Sequence, residues 1–425
     1  MIQSWLSRVP LVLLAAAIAL SPSFSFGTVG GLQKIIEIRV EDILIIILAV
    51  IWLTAALVSG KARFEKPPLL LAITLWLGIG FFSLLLNWIF AHVSFIRGFF
   101  FFLKEIEFFI IYFYVFYHLK SVDAAKFLVK LWVVLGAANV VWVLYQLVTG
   151  NRHGEYGTAA LSEWGVFPTG AFFLMIFTFL FNWWLYDVSR KRIHFLWKLC
   201  LLLVLIGCII GIFGTLSKTN FLGAFFALFL SIFLFALKSK KIQTVLLSLG
   251  FSLVTAGIFL GLFYFFILGN LPSAERIVDI LSPSGLFRSF ESGRADAAIF
   301  PQLKEASQHP SIPLLGFGKG TILVYQESHN QYLRNFIETG LAGLLAFLFL
   351  IFLILKISWR GFAQGRDSFS VGLASGVLVA TFTMLFLSLG TDAFIVVKSS
   401  EVYWFFVGLT MAVLRLKSEQ PMYRA

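Results

Sequence analysis

The 425-residue chain is 60% hydrophobic and only 13% charged, with a mean hydropathy of +0.93. A soluble domain carries roughly twice that charged fraction, so the composition excludes a water-soluble fold. The net charge of +12 sits in short clusters between apolar runs. It forms no continuous basic face, which reads as topogenic charge and not as a nucleic-acid partner.

Twelve apolar runs fall at about 9–26, 41–58, 68–91, 95–118, 126–148, 166–187, 195–213, 219–237, 243–267, 337–357, 370–390 and 401–416. Most are long enough to cross a hydrocarbon core of about 30 Å as helices. The predicted fold is therefore an all-α polytopic membrane protein of about 12 transmembrane helices, with residues 1–425 as a single membrane domain. The 50 Phe and 12 Trp residues suit lipid contact and interfacial anchoring. Arg8, the apolar stretch after it and Ser21-Pro22-Ser23 have the form of a short signal peptide. A second apolar run follows closely, so a retained first helix is expected. Cys200 and Cys208 lie in one run at i and i+8, too far apart to pair within a helix, and are read as small core residues.

The gaps between runs form two classes. One class, with the two termini, holds about 18 basic residues, among them Lys61, Arg63, Arg190, Lys191, Arg192, Lys240 and Arg360. The alternate short gaps hold five: Lys34, Arg39, Arg152, Lys218 and Lys398. The positive-inside rule then puts both termini in the cytoplasm. One connection is far longer than the rest. Residues 268–336 form an outer-face loop with Arg276, Arg288, Arg294, Lys304, Lys319, His309 and His329. Loops of this length are commonly functional. Residues 274–281 and 294–306 read as short amphipathic helices, so the loop is expected to fold over the membrane face.

The segment richest in chemistry runs from Glu327 to Gly343. Ser328 with Gln331 three residues on has the spacing of a capping box, which makes His329 the first helical residue. Unpaired backbone N–H groups there suit an anion such as phosphate. The helix dipole disfavours imidazolium, leaving His329 able to accept a proton. The plainer alternative is a His decorating a surface helix. Ser292-Gly293-Arg294 opens the second amphipathic segment and presents a guanidinium fork suited to phosphate, or simply a solvated Arg. Thr215-Leu216-Ser217-Lys218-Thr219-Asn220 is a polar break between two runs. Lys218 there is a charge on the disfavoured side, in local use or snorkelling. Arg97 and Lys104, seven apart on one helical face with Glu105 and Glu107 nearby, mark ion pairing or phosphate contact at membrane depth. Gly316-Phe317-Gly318-Lys319-Gly320 has no preceding strand and reads as a turn, not a nucleotide fingerprint. No metal-ligand spacing is present, and no metal or cofactor is expected.

On these residues the chain resembles the O-antigen ligase and O-antigen polymerase superfamily of bacterial membrane glycosyltransferases. The matching features, in order, are the Ser217-Lys218 break before a helix, the long late loop, Ser292-Gly293-Arg294, and a motif H-N-x-x-L-x-x-x-x-E-T-G-x-x-G. That motif is carried by His329, Asn330, Leu333, Glu338, Thr339, Gly340 and Gly343. The specific matches cover about 215–343. Lys218 stands where the family commonly has Arg. The turn after His309-Pro310 carries Ser311-Ile312-Pro313 as an insertion.

The resemblance implies inverting, metal-independent transfer of a glycan from a polyprenyl diphosphate carrier to an acceptor hydroxyl. The acceptor is lipid A–core or a growing glycan, and the location is the periplasmic face of the bacterial inner membrane. Expected roles are His329 as general base or diphosphate holder and Arg294 as a catalytic cation. Lys218, Arg288 and Arg97 would add diphosphate contacts, with Ser217, Ser328, Asn330 and Glu338 in support. Membrane lipids are the remaining partner. The short tail after the last run speaks against variants with an added soluble domain. A transporter or flippase of lipid-linked glycans is the main rival, although no inverted repeat is evident.

Overall fold

A computed structural model describes residues 8–21, 23–28, 35–58, 66–89, 95–151, 159–161, 166–188, 195–215, 217–239, 312–320 and 330–419. The first element, α1 (Val9–Leu20), ends before Pro22 and is only 12 residues long. At 1.5 Å per residue it rises about 18 Å, too little to cross a bilayer. The first expected span is corrected accordingly. The chain turns instead into an antiparallel ribbon of β1 (Ser23–Thr28) and β2 (Ile35–Arg39), in which Phe24 faces Ile38 across the pair. This ribbon is the one departure from an all-helical architecture among the described residues.

Helices follow: α2 (Val40–Val58), α3 (Leu70–Ile89), α4 (Phe95–His118), α5 (Val122–Thr149), α6 (Val166–Trp183), α7 (Phe195–Gly214) and α8 (Lys218–Ser239). A π-helical turn, Trp184–Val188, extends α6. After the short α9 (Ile312–Leu315) come α10 (Gln331–Gln364), α11 (Ser368–Leu387), a 3-10 turn (Ala393–Ile395) and α12 (Val397–Ser418). Seven of these, α3, α5, α6, α7, α8, α10 and α11, contain stretches long and apolar enough to cross a membrane. The chain is thus a helical membrane protein. Apolar runs at α2, α4 and α12 also form helices, but charged residues interrupt α4 and sit near the start of α2 and α12. The run 243–267, the segments 274–281 and 294–306, and most of the loop 268–336 lie outside the described residues.

Sequence sets the ends locally. Ser121 caps α5 by accepting from Ala124 N at 3.1 Å, and Gly150 closes it in the left-handed region. Asp367 caps α11 through Ser370 N at 2.9 Å. The centre of the bundle is α6, α11 and α12, whose side chains are buried nearly all round. A helix apolar on every face belongs in an interior. Around it α2, α3, α7, α8 and α10 bury one face and leave Leu, Ile and Phe exposed on the other, where lipid would lie. Cys208 points into this core, whereas Cys200 is exposed, so only one of the two is a core residue.

Several polar groups inside the bundle bond to one another across helices, as hydrocarbon surroundings favour. Asn182 on α6 donates to Ser231 Oγ on α8 at 2.9 Å and accepts from Ser375 Oγ on α11 at 2.8 Å. Thr381 and Tyr403 join α11 to α12 through their hydroxyls at 2.8 Å.

Candidate functional site

The motif from Asn330 to Gly343 builds a broken helix. Asn330 is the N-cap of α10, its side chain accepting from Leu333 N at 3.0 Å. The expected cap at Ser328 is corrected. Gln331 is not free to reach back to Ser328, because its amide nitrogen donates to Asn335 Oδ1 at 2.9 Å and its carbonyl accepts from Phe394 N. His329 and Ser328 themselves lie outside the described residues. So do Arg294 and Arg288, and the side chains of Lys218 and Arg97.

Ten residues into α10, Gly340 takes φ 65°, ψ −168°, a region that only glycine enters readily, and the helix kinks. The break leaves the Ile337 and Glu338 carbonyls without helical partners. Phe317 N and Gly318 N fill them at 2.7 and 2.9 Å. Residues 316–320 thus run as a buried turn against the kink, with Gly316, Gly318 and Gly320 all at positive φ. Ser83 on α3 donates to the carbonyls of Leu315 and Glu338, and Asn87 to that of Gly316. The glycine-rich stretch is a turn, as its sequence suggested. Thr339 Oγ donates to the Asn335 carbonyl at 2.7 Å, and a side chain at Gly343 would overlap that hydroxyl. Asn330, Thr339, Gly340 and Gly343 therefore all serve the geometry of this helix.

A charge network fastens the same region. Arg334 lies between Glu338 (3.2 Å) and Asp392 (3.1 Å). Glu338 Oε1 also accepts from Gly320 N at 3.2 Å. Lys319, 1% exposed, donates to Glu105 on α4 at 2.6 Å and sits 4.4 Å from the centroid of the Trp76 ring. Glu338 therefore supports the site by tying the helix start to the buried turn. Arg334, Lys319, Glu105 and Asp392 were not singled out from sequence as site residues. The Arg334–Glu338 pair at i, i+4, where the long loop enters an apolar run, was a readable signal. The Lys319–Glu105 pair spans 214 positions and had none.

The polar break at 215–220 is a tight joint. Ser217 is buried and its hydroxyl accepts from Asn220 Nδ2 at 3.0 Å. Asn220 also donates to the Phe167 carbonyl on α6 at 2.9 Å. Lys218 is the first residue of α8. The starts of α8 and α10 both lie near one place, the turn that ends α11. Gln331 N donates to the Ser388 carbonyl at 3.1 Å and Asn330 Nδ2 to that of Leu389 at 3.3 Å. A Cβ added at Gly390 would meet the Thr219 methyl at 4.0 Å.

On α4 the structure decides for ion pairing at Lys104. Its ammonium reaches Asp42 at 2.5 Å and Glu107 at 2.7 Å, with Glu401 at 3.7 Å. The carboxylates of Glu41, Asp42 and Glu401 lie within 4.8 Å of one another, a grouping hidden from sequence because α2 and α12 bring it together. Gly98, next to Arg97, packs on the Lys319 carbonyl, which places the first turn of α4 beside the buried turn. Comparison of the chain with models of protein families and with curated protein sequences gives no match, so the site rests on its own residues.

Proposed function

We propose that the protein transfers a glycan from a polyprenyl diphosphate carrier to an acceptor hydroxyl at the outer face of the bacterial inner membrane, without a catalytic metal. The observation that carries this reading is the approach of two helix starts to one turn. The N-termini of α8, which opens with Lys218, and of α10, whose cap Asn330 comes after His329 in the sequence, flank one turn at 388–390. Two helix N-termini bring the positive ends of their dipoles to one region, a setting for a diphosphate.

In this reading the leaving diphosphate gathers negative charge as the sugar departs. Cationic groups aimed there lower the barrier more than they tighten substrate binding. Lys218 and Arg294 supply the charge, with Arg288 and Arg97 as further contributors. His329 takes the proton from the acceptor hydroxyl as that oxygen attacks the anomeric carbon from the face opposite the diphosphate, which inverts the centre. The ion-paired Arg334 and Lys319 hold the scaffold and leave substrate charge to the residues named.

The test combines complementation of ligase-deficient and polymerase-deficient strains with a transfer assay on the purified protein. His329→Ala and Arg294→Ala should each lower transfer by about 10²-fold or more while leaving membrane expression intact. Wild-type transfer in both variants would remove the site assignment. The second reading, transport of lipid-linked glycans, draws on the buried ion network of α2, α4 and α12. It predicts that deletion strands the lipid-linked glycan on the inner leaflet, whereas the transferase reading predicts its accumulation on the outer one.

A further inference from the structure

Away from the helix-start region, four elements bring an unbalanced set of charges together inside the protein. α2 contributes Glu41 and Asp42, α4 contributes Lys104 and Glu107, and α12 contributes Lys398 and Glu401. Ser21 comes from the end of α1. Glu41, Lys398 and Glu401 are fully buried. Lys398 bonds to Glu41, as does the Ser21 hydroxyl, and Lys104 bonds to Asp42 and Glu107. Among the described side chains of the ribbon, the further charge is that of Arg39, mostly buried, whose backbone N–H donates to Asp42 at 3.0 Å. Among the described residues, four carboxylates thus face two ammoniums and one guanidinium. One negative charge is left over.

Glu401 is where the surplus concentrates. Neither of its carboxylate oxygens receives a hydrogen bond. Its nearest cationic nitrogens, on Lys398 and Lys104, stand at 3.5 and 3.7 Å, and both are already committed to Glu41, Asp42 and Glu107. Leaving a charged acceptor buried and unbonded is among the most expensive arrangements a protein interior can hold. One oxygen from each of Glu41, Asp42 and Glu401 lies within 4.8 Å of the other two. A hard cation ligated at 2.3–2.6 Å holds its oxygens about 3–5 Å apart.

We infer that Glu41, Asp42 and Glu401 form a site for one small monovalent cation, a proton or an alkali-metal ion, which neutralises the surplus charge and joins α2 to α12. The site needs no glycan and is independent of the transferase reading. A cation bound only by the folded chain stabilises it in proportion to the logarithm of its concentration.

The full-length protein in lipid nanodiscs, unfolded thermally at pH 6 to 8 and at 1 to 300 mM NaCl with choline chloride holding ionic strength constant, tests this. A hundredfold rise in the bound cation above its Kd should raise the midpoint by about 3 °C. If sodium raises it at fixed pH, the ligand is the alkali ion. If instead the midpoint falls as pH rises, whatever the sodium level, the ligand is the proton. In either case Glu401→Gln should abolish the dependence, Asp42→Asn should give the same readout should Glu401→Gln not fold, and the exposed Glu419→Gln should retain it. A wild-type midpoint indifferent to both cations, or a dependence undiminished in the Gln and Asn variants, overturns the site.

Discussion

Replacing Gly340 by Ala tests whether the break in α10 is what seats residues 316–320. The residue lies at φ 65°, ψ −168°, and a Cβ there would overlap the carbonyl of Leu314 and the amide of Leu315. Holding an L-residue in that region costs about 2 kcal/mol. Relieving the overlap by backing the turn away breaks Phe317 N to Ile337 O and Gly318 N to Glu338 O, about 1 kcal/mol each. The sum, about 4 kcal/mol, is a large share of a typical folding free energy. Gly78→Ala on α3 is the control, since nothing lies within 4 Å of its added methyl. In an exposed helix interior that change should be neutral or stabilising by up to about 1 kcal/mol. Denaturant titration of both purified variants against the wild type reads the difference. Equal midpoints for Gly340→Ala and Gly78→Ala would refute the account of the kink.

Lys319→Met strands Glu105 beside an apolar group and should destabilise by about 3 kcal/mol. Adding Glu105→Gln should recover much of the loss in a double-mutant cycle, and additive losses would show the pair is not coupled. At the cap of α11, partial burial works to raise the Asp367 carboxyl. The ammonium of Lys417 and the Ser370 N–H and hydroxyl outweigh it and hold the group below its ordinary value. Its contribution is therefore full above the unfolded carboxyl range, about pH 4, and lost as pH falls below it. Asp367→Asn should flatten the acid limb of a midpoint-versus-pH curve below about pH 4, and an unchanged limb would deny the effect.

The helices were legible because apolar composition is a local property: ten of the twelve runs coincide with helices, the run 9–26 holds a 12-residue helix and then enters the ribbon, and the run 243–267 lies outside the described residues. The ribbon was legible too, yet missed. Ser23-Phe24-Ser25-Phe26 alternates with a period of two, and Pro22 bars the continuation of α1. Reading hydrophobicity alone merged both into one span. In the site, the turn at 316–320 could be placed because turns are set by near neighbours. That Asn330 and not Ser328 caps α10 goes with Gln331, whose amide is taken up by Asn335 one turn on and by Phe394 from across the fold. Buried charge pairs such as Lys319 with Glu105 or Lys398 with Glu41 are chosen by packing, and nothing in either local sequence names the partner.

The seating of α6 bears on how the chain is made. Its Asn182 reaches one partner on α8 and another, Ser375, on a helix synthesised nearly 200 residues later. When α6 leaves the ribosome, half of that amide has nowhere to go but lipid, neighbouring backbone or the insertion machinery. Biogenesis must therefore keep the first helices loosely associated until α11 and α12 arrive to slot between them. Nascent chains cut short before residue 368 would carry an unsatisfied polar face in the membrane, a recognisable mark for quality control.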